Sequence, residues 1–204
     1  EKGGQWAPAL GMLAEMAHAH VELDTITYNA AVSACAKGGQ WAQAHQLLAE
    51  MALARVESDT ITYNAAVSAC GKGGQWDQVL KFLVEMASAH VEVDTITYSA
   101  AVSACEKGGQ WHQALRLLVE MASSRVELNT ITYNAAVSAC GKGGQWHQAL
   151  RLLVMTASAR VELNTITYNA AVSACETDCQ WAAALRLLVE MAAAEVELST
   201  ITYN

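Results

Sequence analysis

The chain has 204 residues, of which 53% are hydrophobic, and its 20 acidic and 12 basic side chains give a formal net charge of −8. That acidic balance argues against an indiscriminate nucleic-acid binder. No apolar run approaches the roughly 18 residues that a transmembrane helix needs, so we predict no membrane span.

A 35-residue period runs through the whole sequence. Tryptophan, tyrosine and cysteine recur at this interval, with tryptophans at Trp6, Trp41, Trp76, Trp111, Trp146 and Trp181. Such a period indicates a stacked repeat array, in which each unit buries its apolar face against its neighbours. We predict a single array over 1–204, with a partial repeat at 1–24, full repeats at 25–59, 60–94, 95–129, 130–164 and 165–199, and the start of another at 200–204. Neither end has a polar capping helix, so we expect a piece of a longer chain, or ends that a partner covers.

The repeat 25–59 predicts two helices. Asp24 or Thr25 can cap the first, at roughly 26–36, and two glycines at 38 and 39 end it. Its packed face is predicted from residues at helical spacing: Tyr28, Ala31, Val32 and Cys35. The recurring cysteines read as reduced packing residues rather than a disulfide framework.

The second helix is predicted at roughly 41–53, with one side formed by Trp41, Ala44, Leu48 and Met51. We expect each tryptophan to pack between its two helices and the next repeat, where full burial of the ring would contribute roughly 4–6 kcal/mol of gross transfer energy. The predicted fold is all-α, an α-solenoid of stacked αα-hairpins wound as a right-handed superhelix.

The other face of the first helix carries a branched apolar residue, an amide, a hydroxyl and a cation, which in the first full repeat are Ile26, Asn29, Ser33 and Lys37. Side by side, such rows would form a groove lined with amides and flanked by lysines. An amide can both donate and accept hydrogen bonds, as recognition of a nucleobase edge requires.

The sequence resembles the pentatricopeptide repeat (PPR) family, with 35-residue repeats of the P type. The motifs that carry the resemblance recur along the chain, as in Thr62-Tyr63-Asn64, Lys72-Gly73-Gly74 and Leu83-Val84-Glu85-Met86. The fifth full repeat departs from the pattern, with Thr177 in place of the lysine and Cys179 in place of the second glycine, and Met155-Thr156 replaces the Glu-Met pair of the fourth. The Gly-Gly-Gln-Trp variant is similar to PPR arrays of unicellular algae. The resemblance implies sequence-specific binding of single-stranded RNA, one base per repeat, in RNA processing or stabilisation in a chloroplast or mitochondrion.

The family's reading positions carry over residue by residue. The resemblance implies uracil readers at Asn29 with Asp59 and at Asn64 with Asp94, an adenine reader at Ser99 with Asn129, and pyrimidine readers at Asn134 with Asn164 and Asn169 with Ser199. The implied core site is 5′-UUA(C/U)(C/U)-3′. The implied base-sandwiching residues are Ile26, Ile61, Ile96, Ile131 and Ile166, and the implied phosphate contacts are Lys37, Lys72, Lys107 and Lys142.

Structural alternatives remain open for these positions. The last residue of each repeat belongs to the set that caps helices, so capping alone can explain its polarity. The lysines can simply solvate the turn between helices. The alternative function is a protein–protein interaction scaffold, or an accessory subunit of a larger organellar complex, which the acidic balance and the uncapped ends favour.

No catalytic constellation is visible in the sequence, and we predict that the protein is not an enzyme and has no cofactor. Cys175 and Cys179 stand four residues apart, but two thiols without further ligands are a poor zinc site, so we predict no metal.

Overall fold

The computed structural model describes residues 6–21, 23–158, 165–177 and 181–193. Eleven α-helices and no strand lie in these ranges. The helices are α1 Trp6–His18, α2 Thr25–Lys37, α3 Trp41–Leu53, α4 Thr60–Lys72, α5 Trp76–Ser88, α6 Thr95–Lys107, α7 Trp111–Ser123, α8 Thr130–Lys142, α9 Trp146–Ser158, α10 Thr165–Thr177 and α11 Trp181–Ala193. None of these helices has the length and hydropathy that a membrane crossing would require.

The helices stack as hairpins within each of two compact units, Glu1–Ala104 and Cys105–Asn204. In the first unit, α2 packs on α1, α3 and α4, and α4 packs also on α3 and α5. In the second unit, α8 packs on α7, α9 and α10, and α10 packs also on α9 and α11. The predicted all-α fold of stacked helical hairpins is therefore confirmed. The assignment of 1–204 to a single array remains a prediction.

The helices α2, α4 and α6 begin with side-chain caps. Asp59 accepts a hydrogen bond from the backbone N–H of Thr62 at 2.9 Å, and Asp24 and Asp94 do the same for Thr27 at 2.9 Å and Thr97 at 2.8 Å. Such caps satisfy N–H groups that the first turn of a helix leaves unpaired. The odd-numbered helices α3, α5 and α7 have a glutamine at the N-cap position, and its side chain makes no capping hydrogen bond.

The core of each hairpin is formed by the predicted faces. In the first full repeat, Tyr28, Val32 and Cys35 are buried on α2, as are Ala44 and Met51 on α3. The described cysteines are free and buried, as predicted for packing residues: Cys35, Cys70, Cys105, Cys140 and Cys175. Burial raises the pKa of three of these thiols to about 11, namely Cys70, Cys105 and Cys140. Cys179 lies outside the described residues.

Trp6, Trp41 and Trp111 pack against the turn of the next hairpin. A Cβ added to Gly73, at the end of α4, would stand 3.3 Å from Cδ1 of Trp41, and one added to Gly143 would overlap the ring of Trp111. The prediction that tryptophan contacts the next repeat is confirmed. The expectation of full burial is wrong, because the side chains are only half-buried at Trp6, Trp41, Trp76, Trp111 and Trp146. The transfer energy per ring is correspondingly below the 4–6 kcal/mol expected for a buried ring.

The two glycines that follow α2, and the two that follow α4, serve different purposes. The first leaves room for the tryptophan ring, and its backbone is ordinary, with φ −85° at Gly73. The second has a left-handed backbone, with φ 66° at Gly74 and 68° at Gly39, a region that side chains disfavour. The helices α1, α3, α5 and α7 are also followed by a left-handed residue, but it is not glycine. After α3 it is Arg55, with φ 56°, and Val56 N–H donates to the carbonyl of Met51 at 2.9 Å.

Candidate nucleic-acid interface

Each even-numbered helix exposes an isoleucine at its second residue. The exposed fractions are 76% for Ile26, 66% for Ile61, 64% for Ile96, 63% for Ile131 and 65% for Ile166. Burial does not explain a branched apolar residue at this position, because all five side chains face away from the core. The structure thus presents the predicted sandwiching residues as an accessible apolar surface on each even-numbered helix.

The structure brings together the two predicted uracil-reading pairs. Asn29 Nδ2 donates to Asp59 at 3.2 Å from Oδ1 and 3.3 Å from Oδ2. Asn64 Nδ2 donates to Asp94 Oδ2 at 3.0 Å. Residues 30 positions apart meet because the last residue of a repeat also starts the next even-numbered helix, which packs beside the previous one. Each pair therefore joins an amide and a carboxylate side by side.

A buried threonine, which the sequence analysis missed, connects each pair. The Thr62 hydroxyl contacts both the amide oxygen of Asn29 and Asp59 Oδ1, the latter at 2.8 Å, and it donates its single proton to one of them. Thr97 makes the equivalent contacts with Asn64 and Asp94. The sequence signal was the recurring Thr-Ile-Thr, whose second threonine stands in the first turn of the helix.

Hydrogen bonding keeps the paired carboxyl groups ionised. Burial raises the pKa of Asp59, but hydrogen bonds from the backbone and side chain of Thr62 and from the amide of Asn29 outweigh it, so the pKa falls below its ordinary value of 3.8. The pKa of Asp94 is lowered for the corresponding reasons, with burial again opposing the hydrogen bonds. At neutral pH both are carboxylates.

Capping and pairing use different oxygens of Asp94, whereas the amide of Asn29 donates to both oxygens of Asp59. In Asp94, Oδ1 accepts from Thr97 and Oδ2 accepts from Asn64. Asn129 caps α8 in the same way, its Oδ1 accepting from the N–H of Thr132 at 2.9 Å. Its second polar atom is then an NH₂ donor where Asp94 has an acceptor. The predicted capping role is confirmed for Asp94 and Asn129. Because both residues cap through Oδ1, they differ only in the second polar atom of the side chain, which is an acceptor in aspartate and a donor in asparagine.

The other predicted readers are placed as follows. Ser99 is buried in α6, with an exposed fraction of 9%. Asn134 in α8 accepts a hydrogen bond from the Thr167 hydroxyl, and Asn169 is half-buried in α10. Asn164 and Ser199 lie outside the described residues.

The predicted phosphate contacts differ in their surroundings. Lys37 and Lys107 are exposed at the ends of α2 and α6. Lys72 Nζ donates to the carbonyl of Ala36 at 2.8 Å, and Lys142 Nζ forms a 2.8 Å salt bridge with Oε1 of Glu106, which the sequence analysis had not singled out. Lys72 and Lys142 thus contact the preceding even-numbered helix.

A metal site is not apparent in the part of the chain that the structure describes. No group of three or more His, Cys, Asp or Glu side chains there is placed to hold an ion.

These features define a helical-hairpin repeat protein with a polar and apolar row on the first helix of every hairpin. Family models described as the PPR repeat family match residues 23–72 and 58–107, and models described as the PPR repeat match 96–126 and 131–155. These matches cover more than half of the chain, which therefore belongs to the pentatricopeptide repeat family. No curated protein matches the sequence.

Solved structures support the same assignment. The chain is similar to the pentatricopeptide repeat protein PPR10 from maize, with 27% identity and a TM-score of 0.72, over 98% of this chain and 29% of that one. For PPR10 in complex with an 18-nt psaJ RNA element, the identity is 27% and the TM-score 0.74, over 98% of this chain and 28% of that one. The chain thus spans less than a third of PPR10.

A third structure shows the fold alone. The PPR domain of Arabidopsis thaliana protein-only RNase P 1 in complex with tRNA is 14% identical, with a TM-score of 0.74, over 84% of this chain and 91% of that one. The fold is therefore similar to that of PPR proteins solved with RNA.

Proposed function

We propose that the protein binds single-stranded RNA, one base per full repeat, without catalysing a reaction. The observation that carries the proposal is the pairing of Asn29 with Asp59, and of Asn64 with Asp94, on helices that expose an isoleucine. The similarity to RNA-bound PPR10 supports it.

The hydrogen-bonding capacity of the amide suits a base. Asn29 uses one N–H for Asp59 and at most one lone pair for Thr62. An asparagine side chain has two of each, so one N–H and one lone pair remain. The Watson–Crick edge of uracil offers a carbonyl beside an N–H, which complements that set. Because Asp59 and Thr62 fix the amide, little rotamer entropy remains to be lost on binding.

Apolar and charged contacts would supply affinity rather than selectivity. The exposed isoleucines would pack against the faces of the bases, and lysines at the ends of the even-numbered helices would approach phosphates. By family resemblance we take the core site as 5′-UUA(C/U)(C/U)-3′, and we expect a role in RNA processing or stabilisation in a chloroplast or mitochondrion.

The test is fluorescence anisotropy with a labelled RNA carrying UUACC in a neutral flank, against a scrambled RNA. We expect tighter binding to UUACC. Asn64→Ser would convert the second repeat to the combination of serine and aspartate, which by the family's pairing rules prefers guanine. Serine fits this position of the fold, since Ser99 occupies it in α6.

A matched control keeps the comparison specific. Gln46→Ser makes a similar amide-to-hydroxyl change on the exposed face of α3, where the amide contacts only Glu50 at 2.9 Å. It should leave the preference for the second base at uracil. If Asn64→Ser also leaves that preference at uracil, the reading role of the asparagine is refuted. If UUACC and the scrambled RNA bind equally, the proposed specificity is refuted.

The protein-scaffold alternative has one structural observation in its favour. In the second unit, successive odd-numbered helices expose a valine at the same position, with exposed fractions of 68% for Val119, 68% for Val154 and 69% for Val189. A complex that survives nuclease treatment and is lost when Val154 is changed to lysine would favour the scaffold. Loss of the complex on nuclease treatment would favour RNA.

A further inference from the structure

In α4 and α8, the residue before the last residue of the helix lies at a close approach to the next even-numbered helix. In α4 and α8 it is glycine, and an added Cβ would stand 3.1 Å from the carbonyl oxygen of Ala100 at Gly71 and 2.9 Å from that of Ala170 at Gly141. In α2 it is Ala36, which is 6% exposed. The position favours small residues, since a larger one must direct its side chain along the next helix.

Glu106 occupies this position in α6 and reaches α8. Its Oε1 accepts from Lys142 Nζ at 2.8 Å and from Ser138 Oγ at 2.9 Å. Ser138 and Lys142 are one helical turn apart, so a single carboxylate oxygen bridges that turn. The glutamate side chain is 21% exposed and that of the lysine 52%.

Lys72, which ends α4 as Lys142 ends α8, has a different partner. Its ammonium group donates to the neutral carbonyl of Ala36, so its positive charge is not offset by a carboxylate. The charge of Lys142 is offset by Glu106 at contact distance. A phosphate is attracted by net positive charge, and an ion pair presents almost none.

We infer that Glu106 withholds Lys142 from the RNA backbone, so that the repeat beginning at Thr130 holds its base without a phosphate contact. This inference rests on the proposed RNA-binding function. Loss of one phosphate contact makes the slope of log K against log salt shallower by about 0.7 for single-stranded RNA.

The test compares Glu106→Gln with the unchanged protein, by anisotropy of the UUACC RNA from 50 mM to 1 M salt. Glutamine keeps the hydrogen-bonding geometry and removes the charge. One further phosphate contact steepens the slope by about 0.7, which corresponds to about eightfold tighter binding at 50 mM if the affinities converge near 1 M. Glu106→Gly, which installs the residue found at 71 and 141, should change the slope in the same direction. Thermal midpoints verify that both variants are folded.

Two controls separate the lysine from the overall charge. Glu120→Gln removes the same charge from the exposed surface of α7 and should leave the slope unchanged. The double variant Glu106→Gln with Lys142→Gln should return to the original slope.

The outcomes distinguish the inference from the function. A slope that stays unchanged in both Glu106 variants, while RNA still binds, overturns the inference alone. Absence of RNA binding by every variant at 50 mM salt overturns the proposed function and the inference together. Binding that appears only when Glu106 is replaced supports both.

Discussion

Asp59 offers a direct separation of helix capping from base reading. Its Oδ1 caps α4 through the N–H and hydroxyl of Thr62 at 2.9 and 2.8 Å, and Asn129 caps α8 through Thr132 at the same two distances. Asparagine therefore replaces the cap, while alanine removes it. We expect Asp59→Ala to destabilise the protein by about 1 kcal/mol, or about 2–4 °C in Tm. For Asp59→Asn we expect only a few tenths of a kcal/mol, from the lost charge at the helix N-terminus.

The pH dependence of this difference has a definite sign. Because the folded pKa of Asp59 lies below 3.8, its charge stabilises the folded state above pH 3.8, and this contribution is lost as the pH falls through the folded pKa. The small gap between the unchanged protein and Asp59→Asn should therefore be complete at pH 7 and close below pH 3.8.

Thermal melts at pH 7 and pH 3, with anisotropy on RNAs differing only at the first base, provide the assay. We expect Asp59→Asn to keep the Tm while moving the first-base preference from uracil towards cytosine. Equal destabilisation by alanine and asparagine would refute the capping argument. Unchanged base preference in Asp59→Asn would leave capping as the sole role of this aspartate.

Two further predictions concern packing. Gly143 has φ −86°, which alanine adopts readily, but the Cβ of an alanine would overlap the ring of Trp111. Gly143→Ala should therefore lower the free energy of unfolding, measured in urea, by about 1–3 kcal/mol. Most of that loss should vanish in a Trp111→Leu background. A cost that persists without the ring would contradict the assigned role of this glycine. Thiol labelling with a disulfide reagent at pH 7.5 should be slow in buffer and fast in urea, because burial raises the pKa to about 11 at Cys70, Cys105 and Cys140; fast labelling of these three in buffer would contradict their burial.

The sequence was sufficient to predict the helices, because the signals that determine them are local and repeated. The predicted ranges 26–36 and 41–53 compare with Thr25–Lys37 and Trp41–Leu53 in the structure. Threonine after aspartate, the glycine pair and the apolar residues at helical spacing each act within one or two turns.

The contacts that could not be predicted from the sequence join residues of neighbouring repeats. Thr62 is unremarkable in its own helix, and its connecting role arises only when Asn29 is brought beside it by packing. The pairing of Lys142 with Glu106 likewise joins residues 36 apart, and a single helix gives no sign of it. The left-handed backbone of Arg55 after α3 could not be predicted, because the sequence has no glycine at that position.

The contacts described above share a sequence separation close to one period: 30 residues for Asn29 and Asp59, 33 for Thr62 and Asn29, and 36 for Lys72 and Ala36. A genetic event that removes or duplicates a segment of 35 residues would therefore return an equivalent partner to every surviving side chain. A length that is not a multiple of 35 would misalign all of them at the junction. The number of repeats can thus vary over evolutionary time by unequal recombination without redesign of a core. Under the proposed binding of one base per repeat, gain or loss of one repeat would lengthen or shorten the recognised RNA by one nucleotide.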